Sequence, residues 1–235
     1  MTHRNRGKKS NDDKIFSPEW WPVFSEAVDD FCFLLGRGYT EHVVVELVGN
    51  RYKLNKRQRL AIQRISASAE QVQHRKANEV GVSKLKDAEV EIDGFNLLIL
   101  LESALSGGYI FKGRDGTYRD LSSVHGSYKR VVQTSNAIAF AGKALRSFRV
   151  GRVKWYLDRP VSNSGMLRSM LLEISREHDF HWQVSLVNNP DKNLSKSQAI
   201  IVTSDSMILD RTSQWYNLGG VLIKKHIPDA NVIVV

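Results

Sequence analysis

The sequence predicts a chain in two unlike parts: a small all-α domain, then an α/β domain whose mostly parallel sheet is flanked by helices. Apolar residues in the first part recur at helical spacing. In the second part short β-branched runs alternate with helical runs, the order that lays parallel strands under crossover helices. Between them, residues 66–88 turn polar and Gly/Ser/Lys-containing, which reads as a frayed helix end and a linker.

Residues 1–14 are polar and basic, a tail expected to be disordered. Residues 15–87 form the helical domain. Ser17-Pro18-Glu19 reads as an N-cap with proline at the first helical position. Val28, Phe31, Cys32 and Leu35 make one apolar face, and Gly36-Arg37-Gly38 stops that helix. Thr40 begins a second helix on Val43, Val44, Leu47 and Val48, and Asn55 begins a third on Leu60, Ile62 and Ile65.

Residues 88–235 form the α/β domain. Val90 to Asp93 is a strand, and the apolar helix after it stops at Gly107-Gly108. Further strands are expected at Arg152–Asp158, Trp182–Val187, Ala199–Asp205 and Gly220–Lys224, with helices at Val131–Phe148 and Gly165–His178. Three of these runs end in an aspartate: Ile92-Asp93, Leu157-Asp158 and Ser204-Asp205.

Composition narrows the function. The longest apolar run, Phe95 to Leu105, falls short of the roughly 20 residues that span a bilayer. The opening segment has no apolar stretch of the secretory kind, so a cytoplasmic protein without membrane partners is expected. A single cysteine, Cys32, excludes an internal disulfide and a cysteine-rich zinc site. His125 and His181 have no metal-ligand spacing. The net charge of +9 favours an anionic partner such as nucleic acid.

That charge is concentrated. Arg51, Lys53, Lys56, Arg57, Arg59 and Arg64 fall in a stretch with no acid between Leu47 and Ala69, so a phosphate-contacting surface is expected there. Tyr39 and Tyr52, flanked by arginines, suit base stacking or core packing. Trp20-Trp21 reads as a core anchor or domain contact.

Side chains at the carboxyl ends of neighbouring parallel strands converge where such sheets bind ligands. A lone strand-end aspartate usually caps a helix or turn. Three at equivalent ends repel one another unless a cation neutralises them, and oxygen ligands of this kind suit Mg2+ or Mn2+. Such a centre can polarise a phosphodiester and activate water. Beyond Asp158, the polar segment Arg159–Gly165 enters a helix whose amides can bind phosphate, or whose N-cap is Ser162 or Ser164. Asp115-Gly116 reads as a turn, and Arg119-Asp120 as a loop able to close over the same edge.

Asp93-Gly94-Phe95-Asn96 resembles the first-strand motif of PIN and NYN nucleases, and Thr203-Ser204-Asp205 with Asp210 resembles their fourth-strand motif. The resemblance covers about residues 88–235. It implies a PIN-like (Rossmannoid) sheet with one or two divalent ions at its carboxyl edge. Asp93 and Asp205 would be ligands, Asn96 and Ser204 would orient ligands or the attacking water, and Asp210 would serve beside them or at a second ion. Many of these enzymes carry the middle acid on a helix, whereas here it is Asp158 at a strand end. Arg37-Gly38-Tyr39, Val48–Tyr52 and Asp158–Ser162 also resemble a two-domain family, domain of unknown function 434 followed by domain of unknown function 5616.

The expected function is a metal-dependent nuclease, acting on RNA before DNA as the resemblance implies, with a homodimer left open. The alternative is a non-catalytic nucleic-acid-binding protein of the same fold. A phosphatase lacks support: no aspartates stand two apart after the first strand, and there is no Gly-x-x-x-x-Gly-Lys-Ser/Thr loop.

Overall fold

Asn55 and Ser68 each begin a helix with a reciprocal cap. Each side chain accepts a hydrogen bond from the residue three on, and that glutamine side chain accepts one from the cap's own amide. In the computed structural model, which describes residues 6–122 and 126–235, these caps open α4 (Lys56–Ile65) and α5 (Ala69–Asn78). Before them come α1 (Asp12–Ile15), α2 (Trp21–Gly36) and α3 (Glu41–Arg51). The helical first part is therefore as predicted, but the expected linker is instead α5 and a 3-10 turn at Val82–Leu85. Ser17 supplies no cap hydrogen bond, and Pro18–Trp20 forms a 3-10 turn ahead of α2.

The second part has the predicted parallel sheet. β1 (Glu89–Asp93) lies between β4 (Arg152–Asp158) and β6 (Ile200–Val202), and β5 (Gln183–Val187) lies outside β4. All pairings are parallel. The chain builds outward from β1 to β4 and β5, then returns to place β6 on the other side of β1. That reversal opens a crevice between the carboxyl ends of β1 and β6, the switch point where such sheets take ligands.

α6 (Gly94–Leu105) follows β1 without a loop, and ten of its twelve residues are buried. It is apolar all round because it has sheet on two sides. One is the four-stranded sheet, and the other is a three-stranded sheet that the sequence reading missed. There β2 (Tyr109–Lys112) pairs antiparallel with β3 (Tyr118–Asp120) and parallel with β7 (Asn231–Ile233). Phe111, Leu121 and Ile233 carry this second sheet into the core of the helical part, against Phe24, Phe31 and Ile62. α7 (Thr134–Ser147) and α8 (Ser164–Glu177) complete the main core, while α9 (Pro190–Leu194) and α10 (Ser206–Leu209) help close the sheet's other face.

The expected fifth strand at Gly220–Lys224 is part of a helix, α11 (Leu218–His226). Asn217 caps it by accepting from the Gly220 amide at 3.2 Å, and Leu218, Leu222 and Ile223 bury one helical face. No described helix is long and apolar enough to cross a membrane.

Residues 1–5 of the expected disordered tail, and His125, lie outside the described residues. From Arg6 the tail is packed down. Asp12 is fully buried, and Arg57 reaches it with Nε at 2.5 Å and Nη2 at 2.7 Å while also donating to the Gly7 carbonyl. Arg6 Nε lies 2.5 Å from buried Glu102, which also accepts from Thr134 and Tyr128.

Removing one partner of a buried pair strands the other's charge. Asp12→Ala should therefore cost about 3 kcal/mol in urea unfolding. Asp13→Ala, at an exposed pair with Lys8, should leave the midpoint almost unchanged. Equal effects of the two substitutions would show that the buried pair does not anchor this segment.

Candidate active site

Gly94 lets α6 begin directly against β4. A Cβ there would stand 2.6 Å from the Leu157 side chain and 2.8 Å from the Tyr156 carbonyl. The turn therefore holds Asp93 at the crevice, where it also caps α6. Across the crevice the chain leaves β6 through Thr203, Ser204 and Asp205. The Thr203 hydroxyl donates to Asp93 Oδ2 at 2.9 Å and accepts from the Asp205 amide at 3.0 Å. Asn96 Oδ1 accepts from the Ser204 amide at 2.8 Å and from its hydroxyl at 2.9 Å. Asp205 caps α10, accepting from the Met207 amide at 2.8 Å. Four expected site residues, Asp93, Asn96, Ser204 and Asp205, are thus brought together across the switch point.

Asp158 stands higher. Asp93 pairs with Tyr156, so Asp158 is two residues further along β4, roughly 6–7 Å by strand rise. It lines a cleft of about 340 Å3 together with Asp205, Asn96, Ser204, Asp120 and Arg64. A fourth acid, Asp191 on α9, belongs to this edge and escaped the sequence reading. Its signal was present: Asn189-Pro190-Asp191 follows β5 with a cap and proline at the helix start, and Asn189 accepts from the Lys192 amide at 2.8 Å.

Burial, and then neighbouring charge, raises the proton affinity of Asp93, Asp158 and Asp191. Asp93 is only 8% exposed. Burial first, then the charges of Asp205 and Asp191, push it up to about 7 against the Thr203 hydrogen bond. Asp158 is raised by burial and by Asp191, and Asp191 by burial and by Asp205. Among the described residues no three His, Cys, Asp or Glu side chains stand in a ready-made metal-binding arrangement.

Arg119 and Asp120 lie on β3 rather than on a loop, and both reach the cleft. Arg119 Nε donates to the Ser204 carbonyl at 2.8 Å, so β3 holds the Ser204-Asp205 turn in place. Burial raises the Asp120 carboxyl, against hydrogen bonds from Ser122 and the charge of Arg64. The Asp115-Gly116 turn is present, with Gly116 at φ +88°, but Asp115 also has a structural role. Burial would raise its carboxyl, yet Arg119, Thr117 and Arg75 hold it well below the ordinary range.

Asp210 does not line the acidic cleft. Arg75 Nε donates to it at 2.7 Å and Gln71 at 3.0 Å, so its charge is spent on α5. The cap of α8 is Asn163, in the left-handed region at φ 70°, rather than Ser162 or Ser164. Its amide donates to the Tyr128 carbonyl at 2.8 Å.

The basic stretch is also partly spent, because its balancing acids come from elsewhere in the fold. Arg51 pairs with Asp30 at 3.2 Å and lies over the Tyr52 ring. Arg57 is held by Asp12, and Arg59 by Glu46 at 3.0 Å, Asn50 and the Leu54 carbonyl. Lys53, Lys56 and Arg64 make no ion pair among the described residues. Tyr39 is exposed, whereas Tyr52 is half-buried and donates to Asp30.

Residues 23–78 match the family described as Protein of unknown function (DUF434), and residues 82–221 match Domain of unknown function (DUF5616). A relative from Methanocaldococcus jannaschii, Uncharacterized protein MJ0935, is 35% identical over 184 residues, covering 78% of this chain and 88% of its own. No solved structure matches the chain. With a switch-point acid pair on one domain and a helical domain packed beside it, the chain belongs to the family that carries Domain of unknown function (DUF5616).

Proposed function

We propose that the protein is a divalent-cation-dependent nuclease of the PIN-like kind, hydrolysing phosphodiester bonds at the crevice between β1 and β6, RNA before DNA. One observation carries the reading: Asp93 and Asp205 meet at the switch point, joined through Thr203, where burial first and then the charges of Asp205 and Asp191 push Asp93 up to about 7. A cation relieves that repulsion.

The donor set is all oxygen and suits Mg2+ or Mn2+. Asp93 and Asp205 would hold the ion, with Asp158 and Asp191 beside them. Magnesium usually takes only one or two carboxylates and fills its remaining positions with water and substrate phosphate, so a closed cage of three side chains is not required. When bound, such an ion polarises the phosphodiester and acidifies water. The chain's own groups do the rest. Thr203 aims the Asp93 carboxylate, and Asn96 and Arg119 fix Ser204 from its two sides. Asp158 lines the cleft with raised proton affinity, which suits it to take a proton from water.

A second reading, a nucleic-acid-binding protein without catalysis, draws on the lack of a preformed metal arrangement among the described residues.

Asp93→Asn and Asp205→Asn should each lower metal-dependent cleavage of labelled RNA by about 100-fold or more with the fold intact. Asp210→Asn should lower stability and leave turnover per folded molecule near wild type, since Arg75 holds that acid. Asp93 and Asp205 variants that cleave normally would place the chemistry elsewhere.

The pH dependence follows from the same field. Native Asp93 keeps its proton up to about pH 7, whereas the unfolded side chain releases it near 3.8. The folded state therefore holds the extra proton, and stability falls as pH rises from about 4 to about 7. Each unit of the shift is worth about 1.4 kcal/mol. Asp158 and Asp191 push in the same direction. In EDTA, melting temperatures across this range should show the fall, Asp93→Asn should flatten it, and Mn2+ at pH 7.5 should restore stability to wild type alone. A Mn2+ effect equal in both proteins would count against ion binding at Asp93.

A further inference from the structure

Beside the acidic cleft lies a larger hollow of about 890 Å3 on the helical part. The two share a wall. Leu60 and Gln63 of α4 face the larger hollow and Arg64 the acidic one; Leu121 faces the first, and Asp120 and Ser122 the second. The larger hollow has an apolar floor of Val45, Leu54, Leu60 and Leu121. At its rim stand Lys9 and Lys56, which make no ion pair among the described residues. Its one acid, Glu46, is neutralised by Arg59.

Arg64 differs from the other arginines around it. Arg57, Arg59, Arg75 and Arg119 each hold a carboxylate. Arg64 lines the acidic cleft, where its charge acts on Asp120 without an ion pair among the described residues, and its buried Nε has no hydrogen-bond partner among them. A buried guanidinium donor left open beside a set of carboxylates matches an anion that enters the cleft from outside.

We infer that the helical domain completes the active site as a single-strand track: the larger hollow seats a single-stranded nucleic acid, and Arg64 binds the phosphate that reaches the acidic cleft. This rests on the nuclease reading only for what happens to that phosphate. The ligand class follows from the lining. Phosphates meet Lys9, Lys56 and Arg64, while the aliphatic floor, which carries no aromatic ring, gives unstacked base faces an apolar surface to cover. A duplex hides its base faces and offers mainly phosphates, so it leaves that floor unmatched.

The test uses the full chain with Ca2+ in place of Mn2+, and a fluorescein-labelled 12-mer of oligouridine beside a hairpin duplex RNA. Anisotropy titrations at several salt concentrations give the slope of log K against log salt. The single strand should bind about tenfold tighter than the duplex, with a slope near −2, about 0.7 for each of three cations. Lys9→Ala with Lys56→Ala should flatten the slope by about 1.4, and Arg64→Gln by about 0.7, with Arg64→Lys restoring it. Melting temperatures separate loss of contact from loss of fold. Crosslinks from a 4-thiouridine 12-mer to the intact wild-type protein should map to residues 56–64 and 119–122. Equal binding of duplex, slopes unmoved by these variants, or crosslinks confined to other surfaces would overturn the track. A wild type that binds in this way but cleaves nothing with Mn2+ would uphold the track and contradict the nuclease reading. One that cleaves unchanged in all the variants would uphold the nuclease and contradict the track.

Discussion

The structure turns on the buried carboxylate of Asp115. It sits at the tight β2–β3 turn and takes Arg75 from α5 at 2.7 Å and Arg119 from β3 at 2.6 Å. Neither arginine stops there. Arg75 goes on to Asp210 at the end of α10, and Arg119 to the Ser204 carbonyl and the Arg64 carbonyl. One acid thereby joins the helical part, the second sheet and the strand-end turn that bears Asp205. Two desolvated guanidinium groups on one carboxylate are stable only while every member stays paired, which makes the cluster a strong constraint on geometry.

The acidic edge makes sense against that clamp. Carboxylates that repel one another drift apart unless the backbone beneath them is fixed. Arg119 holds the turn after β6, and Gly94 seats α6 against β4, so Asp93 and Asp205 remain opposed. Asp93, buried and repelled by Asp205, answers that repulsion with raised proton affinity rather than with movement. Binding of a cation, in the proposed function, relieves the repulsion. The same clamp places Arg64 at the cleft, so the helical domain, packed through the second sheet, reaches the acidic edge of the first.

Much of this was legible in the sequence. The strands ending in Asp93 and Asp158 stood out because β-branched runs, acids and glycine fall together, whereas the run read as a strand to Asp205 stops at Val202 and Asp205 caps the next helix. The parallel sheet followed from their alternation with helices. The Gly220–Lys224 run misled because a short apolar stretch fits a strand or a buried helix equally well. Asn217 and the spacing of Leu218 and Leu222 decide it. Ser68 and Gln71 spelled a helix start inside the supposed linker. What no local pattern could supply is pairing over distance. Asp12 takes Arg57 from 45 residues away, and Arg75 takes Asp210 from 135. Those pairings turned part of an apparently unbalanced basic stretch into structure and tied Asp210 to α5.

The most direct measurement of the central claim is anomalous diffraction from crystals grown with Mn2+. The account predicts a manganese peak in the crevice between Asp93 and Asp205, absent from crystals of Asp93→Asn. A crevice without manganese at millimolar concentration, or manganese bound elsewhere with Asp93 still turned onto Thr203, would contradict it.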